Sequence, residues 1–506
     1  MTFRDGTLVD WHEWGEAAFE TAAAAGKPVL CSLTAPWCEW CERMDERSYS
    51  DPKLAANIGD SFVPVRVDVD RHPRIRERYN MGGFPTTVFL TPDGDVLSGA
   101  TYLGPDGLRQ VLDSVRASWD AKGDSAGRVP RSVRGDDLPA GEVTADIEAH
   151  MVEQVAASFD EEFGGWGTDA KFPLPATIEF ALKRDRDRAT RTLEAVRTHL
   201  FDTYDGGFYR FAETRSWGDP HREKLADENA ALLDAFTTGY LYTGEESYRK
   251  TAERTVEYLT TTAWTGDAFA ASQAASEYYT LKPTEREDTE PPHVDPTVLA
   301  DRNGIVAAAL FDFAAVTDHD GAARYAERAL EHVLETLVDD GRVTHFDGEN
   351  SEAGLLVDHA RLLSGLTAAA QVTGPDSWLK PARAVADDAI DQLVAEDGSF
   401  RDGTPVGSGL LDRPLYPIGT NAEMANALLT DYYDAHASGG WMSNPCGVSF
   451  GKHTWDEGHE QRSKVMAWML QGLEAAFCHH LTILSADSEA FTVVANEHDG
   501  LIIRKD

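Results

Sequence analysis

No stretch of the 506 residues stays apolar for about 18 positions, the length a membrane-spanning helix requires. The chain also does not open on a basic stretch followed by an apolar run, since it begins Met1-Thr2-Phe3-Arg4-Asp5. A secretory signal is therefore not expected, and a cytoplasmic location is the default expectation. Cysteine is scarce, five in all: Cys31, Cys38 and Cys41 lie close together, while Cys446 and Cys478 stand alone. That excludes the disulfide framework of a small secreted domain and leaves one redox-capable pair with spare thiols. Positive charge is short as well: 46 Lys and Arg face 86 Asp and Glu, a net charge of −40. So anionic a chain repels nucleic-acid phosphates and anionic membranes, and neither is expected as a partner.

What is present argues for folded domains. Apolar residues make up 42% and there are 12 Trp, enough for real cores. The acidity then reads as a surface adapted to high salt, where counterions screen self-repulsion and carboxylates hold water. The length exceeds one ordinary domain of about 150 residues.

Residues 28–34 form a β-prone apolar run, followed by Cys38-Glu39-Trp40-Cys41 at a helix start. A second strand is expected within Phe62–Val69, a helix over Ile75–Tyr79, and a third strand after Gly83-Phe84-Pro85. Pro92-Asp93-Gly94 signals a hairpin turn into a fourth strand, and Gly107–Trp119 reads as an amphipathic helix. This order over about 100 residues resembles the thioredoxin fold. A Cys at a helix N-terminus feels the positive end of the dipole, which favours its thiolate, and a second Cys one turn on can resolve a mixed disulfide. The resemblance implies that Pro85 is a cis-proline facing Cys38 and Cys41. Ser32 stands where many thioredoxins bury an acid, and Glu39 and Glu42 set negative charge beside the pair. Zinc is the other common use of a CxxC, but no second Cys/His pair with zinc-site spacing follows, so no metal or cofactor is expected.

Residues 120–143 are rich in Gly, Asp, Ser, Arg and Pro and read as a linker. Beyond them helical periodicity dominates and predicts about eleven helices. The helices are punctuated by Gly164-Gly165-Trp166, Asp205-Gly206-Gly207-Phe208, Asp267-Ala268-Phe269, Asp340-Gly341-Arg342-Val343, Asp397-Gly398-Ser399-Phe400 and Gly439-Gly440-Trp441. Each pairs a turn with an aromatic or Val that can tuck inward. Roughly six such turns suggest six helical hairpins closing into an (α/α)6 toroid. The expected layout is a thioredoxin-like α/β domain over 1–119, a linker over 120–143 and an all-α toroid over 144–480. The tail over 481–506 has no reading.

Several short stretches together resemble the DUF255 family, named after spermatogenesis-associated protein 20. They are Trp11-His12-Glu13-Trp14, Trp40-Cys41-Glu42-Arg43-Met44, Ser48-Tyr49-Ser50-Asp51, Phe163-Gly164-Gly165-Trp166-Gly167 with Lys171-Phe172-Pro173, Trp217 to Asn229, Arg302-Asn303-Gly304 and Asp358-His359-Ala360. The resemblance implies a helical domain like those of six-hairpin glycosidases and sugar epimerases. The family's histidines on either side of the second Cys are Glu39 and Glu42 here, and its acidic pair after Ser-Gln is absent from Ser272-Gln273-Ala274-Ala275-Ser276-Glu277.

Cys38, Cys41 and Pro85 are therefore the expected thiol–disulfide site, acting on a protein thiol partner. His221, Glu223 and Asp358 are expected to share a sugar-like pocket with Trp166 or Trp217 on its wall, and Trp166, Phe172 and Trp217 are candidates to stack on a sugar ring. Plainer roles exist for them, a helix cap, an N-terminal helix charge and core packing. Two rival functions stand beside the oxidoreductase: a sugar epimerase or glycoside hydrolase with a structural thioredoxin domain, and a non-catalytic binding or scaffold protein. The charge itself makes a prediction. Screening length falls from about 10 Å at 0.1 M salt to about 3 Å at 1 M, so the melting temperature should climb steeply over that range of KCl. A melting temperature that is flat or falls with salt rules out the high-salt reading.

Overall fold

A computed structural model describes residues 7–130, 133, 145–396, 398–437, 491–495 and 502–505. The chain divides into two compact units. One holds residues 1–138 with 274–276 and 402–415, and the other holds 139–273, 277–401 and 416–506.

The first unit runs β1 (His12–Glu13), α1 (Glu16–Ala25), β2 (Val29–Thr34), α2 (Glu39–Met44), α3 (Pro52–Ser61), β3 (Val63–Asp68), α4 (Pro73–Tyr79), β4 (Thr86–Leu90), β5 (Val96–Ala100) and α5 (Pro105–Lys122). The sheet order is β1-β3-β2-β4-β5. β1, β3 and β2 are parallel, β4 is antiparallel to β2, and β5 is antiparallel to β4. This is the thioredoxin-like α/β fold. Every residue of β2 and β3 is buried, which is why both read as continuous β-prone runs. β1, only two residues long, carries no alternation and was not legible as a strand. Leu30 and Phe89 on one sheet face pack with Leu54 and Ile58 of α3 and Leu108, Leu112 and Val115 of α5. Asp51 caps α3, its carboxylate accepting from the Lys53 and Leu54 amides, with Pro52 opening the helix. α5 continues to Lys122, three residues into the stretch that reads as linker.

Residues 402–415 join this unit through two arginines of α4. Arg74 and Arg78 are buried, and their guanidiniums share the Asp402 carboxylate at 3.0 and 2.6 Å. They also donate to the carbonyls of Thr404, Leu410, Leu411 and Arg413. Such a segment, far off in sequence, is needed because a buried guanidinium without acceptors would be very costly.

The second unit contains α6 (Ala145–Ala157), α7 (Pro175–Arg184), α8 (Arg186–His199), α9 (Ala226–Thr243), α10 (Glu246–Thr261), the single turn α11 (Pro283–Arg286), α12 (Ala300–Thr317), α13 (Asp320–Thr336), α14 (Leu356–Thr373), α15 (Pro375–Leu393) and α16 (Ile418–Ala437). α7, α9, α12, α14 and α16 pack side by side in series, with α8, α10, α13 and α15 outside them. α12 and α14 are buried around most of their circumference, whereas α10 and α13 bury one face. The arrangement is the (α/α)6 toroid, with the hairpins α6/α7, α8/α9, α10/α12, α13/α14 and α15/α16 among the described residues. The turn at Gly439-Gly440-Trp441 and the cysteines Cys446 and Cys478 lie outside them.

The punctuating turns tuck as expected: Trp166, Phe208, Phe269, Val343 and Phe400 are buried. Three are fixed by one device. Asn229, Asn303 and Asn421 each occupy the fourth position of an inner helix. Each amide oxygen accepts from the backbone N–H of the turn Phe, 208, 269 or 400, at 2.7–2.8 Å. Each amide nitrogen donates to that Phe carbonyl and to the residue before its own helix. In α14 the same position is His359, whose Nδ1 bonds the Leu355 carbonyl at 2.8 Å.

Gly304 sets a second constraint. A Cβ there would lie 2.4 Å from the Arg361 carbonyl oxygen, so α12 and α14 meet backbone to backbone. Asn303→Ala leaves the buried N–H and C=O of Phe269 unpaired. It is expected to cost about 3 kcal/mol in chemical unfolding of the helical unit. A loss below about 0.5 kcal/mol would mean the clamp contributes nothing.

Candidate functional site

The thiol pair sits where β2 hands over to α2. Cys38 is the residue before the helix, and its Sγ accepts the Cys41 amide at 3.1 Å. The two are joined in a disulfide with Cα atoms 5.2 Å apart. Both are nearly buried, Cys38 8% and Cys41 4% exposed, so Cys38 is the outer of the two. The Trp37 indole N–H donates to Asp70 at 2.7 Å, and its ring meets Phe84 edge-on at 5.8 Å. That contact sets the loop of Pro85, whose bond to Phe84 is cis, beside the loop of Cys38. The Ala275 amide donates to the Trp37 carbonyl at 3.3 Å. Glu39 is ion-paired with Arg43, whose guanidinium lies over Trp40. Ser32 is buried and hydrogen-bonded to Tyr49, so a hydroxyl pair occupies the place of a buried acid. Cys31 is a buried free thiol whose pKa burial pushes far up, which makes it inert.

In the helical unit the first turns of the inner helices carry the charge. Arg361 of α14 binds Asp301 of α12 at 3.0 Å and Glu423 of α16 at 3.0 Å, and lies 3.7 Å from Asp227 of α9. Arg302 lies 3.6 Å from Asp227 and donates to the Ala271 carbonyl. Asp358 bonds the His345 Nδ1 at 2.8 Å. Burial raises the Asp358 pKa, against the opposing pull of His345.

A second group flanks α9. Arg210 bridges Glu228 at 3.3 Å and Glu223 at 3.5 Å. His221 lies 3.7 Å from Glu223 and 2.7 Å from Glu213. Its ring stacks on Phe211 at 4.1 Å, and Phe211 stacks on the exposed ring of Phe172 at 4.5 Å. Burial works against a charged His221, but hydrogen bonds to Glu223 and Glu213 outweigh it and hold the ring above its usual pKa. Burial lifts Glu228 to about 8, with Asp227 and Glu223 pushing the same way and Arg210 opposing.

The expected site residues thus fall into three places. His221 and Glu223 are neighbours. Asp358 pairs with His345 instead and lies within 4.8 Å of Asp301, whose partner Arg361 reaches Asp227 in the turn of α9 that carries Glu228. Trp166 and Trp217 are core residues, 5% and 2% exposed, their indole N–H groups donating to the Val155 and Phe163 carbonyls. They fill the space beside the glycine turns and offer no ring face to a ligand; the exposed aromatic is Phe172. Asp227, Glu228, Asp301, His345 and Arg361 were not singled out in the sequence. For Asp227, Glu228 and Asp301 the only signal was an acidic residue within three positions of Asn229 or Asn303.

Residues 4–134 match the family model described as "Protein of unknown function, DUF255". Over those residues the first unit is similar to that family. Spermatogenesis-associated protein 20 of Homo sapiens is 28% identical over 290 residues, which cover 50% of this chain and 37% of that protein. The chain therefore spans little more than a third of that relative's length. The thiol:disulfide interchange protein DsbD of Yersinia pestis (strain Pestoides F) is 29% identical over 99 residues, 19% of this chain and 16% of that one. A solved cellobiose 2-epimerase from Bacillus thermoamylovorans B4167 is 13% identical, covering 68% of this chain and 88% of its own, with a TM-score of 0.47. Among the described residues no helix is long and apolar enough to cross a membrane.

In the helical unit, the raised pKa of Glu228 has a measurable consequence. The folded state holds a proton from about pH 4.5, the unfolded value, up to about 8. Stability should therefore be fullest below that window and fall as pH rises through it, by less than the roughly 1.4 kcal/mol per pH unit of a fully buried group, because solvent screens a side chain that is 34% exposed. Glu228→Gln should flatten this slope and raise the melting temperature most at pH 8. An unchanged slope in the variant would remove Glu228 as its source.

Proposed function

We propose that the first unit exchanges disulfides with protein thiols through Cys38 and Cys41. The carrying observation is the placement of Cys38 as the residue capping α2, with the Cys41 N–H aimed at its sulfur. The N-terminal end of a helix and an N–H donor both stabilise a thiolate. Chemically, the Cys38 thiolate attacks a substrate disulfide, forming a mixed disulfide and expelling one substrate thiolate. Cys41 then attacks Cys38 Sγ, releasing the second. The substrate disulfide gains two electrons and the Cys38–Cys41 pair is oxidised, so a further round requires an external dithiol. The similarity of one stretch to DsbD supports this reading.

A second reading concerns the helical unit: a sugar-like ligand at the first turns of the inner helices. It is favoured by the exposed Phe172 ring stacked through Phe211 on His221, beside a Glu228 that keeps its proton at neutral pH. An epimerase or hydrolase, or a scaffold, would use this region with the thiols idle.

Insulin reduction driven by dithiothreitol distinguishes them. The wild type should accelerate precipitation, Cys38→Ser should lose the effect by at least about 100-fold, and Cys41→Ser should trap a mixed disulfide at Cys38. In the reduced protein, alkylation under native conditions should reach Cys38 before Cys41. Wild-type rates equal to the dithiothreitol background would leave the thiol reading without support. A thermal-shift screen against a sugar library then separates a carbohydrate site from a scaffold.

A further inference from the structure

Asp301 and Asp358 come from the first turns of α12 and α14, and His345 from the chain leading into α14. One ligand atom from each lies within 4.8 Å of the other two, and all three residues are buried. Asp301 spends Oδ2 on Arg361 and Asp358 spends Oδ1 on His345. The remaining oxygens, Asp301 Oδ1 and Asp358 Oδ2, are buried with no hydrogen-bond partner. Two such oxygens beside one imidazole are the donors a cation takes, and burying them unpaired is otherwise costly.

The charge balance points the same way. Asp227, Asp301, Asp358 and Glu423 bring four negative charges, against two positive ones from Arg302 and Arg361. One divalent cation would make the cluster neutral. The Gly304 contact that lets α14 approach α12 is what brings Asp301 and Asp358 together.

We propose that Asp301, His345 and Asp358 bind a single divalent first-row cation of the Mn²⁺ or Zn²⁺ class. Two carboxylate oxygens with one imidazole nitrogen suit those ions better than Ca²⁺, which takes six to eight oxygens. Metal–ligand bonds of about 2.0–2.2 Å put donors about 3 to 4 Å apart, so the three groups need to close by about 2 Å at most. The ligands are 13 and 44 residues apart in sequence, so no local spacing announces them.

The test uses the full chain with its disulfide intact, in 1 M KCl to screen the surface carboxylates, and Mn²⁺ alone as the probe. Electron paramagnetic resonance should count one bound Mn²⁺ per chain, displaced by one equivalent of Zn²⁺. Electron spin-echo modulation should show coupling to one histidine nitrogen, lost in His345→Gln. Asp358→Asn should weaken Mn²⁺ binding at least about 100-fold, with Asp301→Asn as the second variant if the first fails to fold. The proposal is overturned by no saturable Mn²⁺ binding, by bound Mn²⁺ without nitrogen coupling, or by unchanged affinity in a folded Asp301 or Asp358 variant.

Discussion

The helical unit depends on how the first turns of its inner helices are tied down. Asn229, Asn303 and Asn421 each bind both backbone groups of a Phe in the preceding turn. An amide is the one side chain that can donate and accept toward a single peptide unit in this way. The bond pair fixes where the turn ends and where the helix begins. Once that is repeated from hairpin to hairpin, the residues at the second and third helical positions, Asp227 and Glu228, then Asp301 and Arg302, are brought to the same end of the layer.

Carboxylates at those positions are favoured locally, since each faces the positive end of a helix dipole. Collectively they repel. The structure answers with Arg361 and Arg302, which cross between helices to meet Asp301, Glu423 and Asp227. Arg361 lies one turn into α14, where the approach at Gly304 leaves room for backbone contact and puts its guanidinium within reach of three neighbouring helices.

Much of this was legible. The turn residues Phe208, Phe269 and Phe400 follow glycine or aspartate signals and are buried where the pattern put them. Asn229 and Asn303 stood inside recognisable signatures, although only the structure shows that they clamp. Cys38 and the strands β2, β3 and β4 followed from apolar runs around a CxxC. What escaped depended on partners distant in sequence. Asp358-His359 reads as a pair, but adjacent helix residues point about 100° apart. Asp358 turns to His345, and His359 turns to Asp388. Trp166 and Trp217 read as ring platforms because they lie in short signatures that interrupt the helical periodicity. The positive φ of Gly165 instead lets the chain fold tightly against Trp217, whose ring a Cβ at Gly165 would strike at 2.7 Å. The attachment of residues 402–415 through Arg74 and Arg78 has no periodic signal at all.

The thiol pair shows how a local departure can be compensated locally. Glu39, taken alone, opposes a thiolate on Cys38. Its carboxylate is ion-paired with Arg43 one turn on, so the charge nearest the sulfur is balanced within α2. Both partners are over 40% exposed on their side chains, so solvent screens what field remains. The Cys41 N–H and the end of α2 remain as the groups that act directly on Cys38. Ser32 and Tyr49 are different: buried hydroxyls that can relay a hydrogen bond but cannot take a proton from a thiol near neutral pH, since burial pushes the Tyr49 pKa above its ordinary value. In the disulfide exchange proposed for this unit, neither of these hydroxyls would take the proton of Cys41.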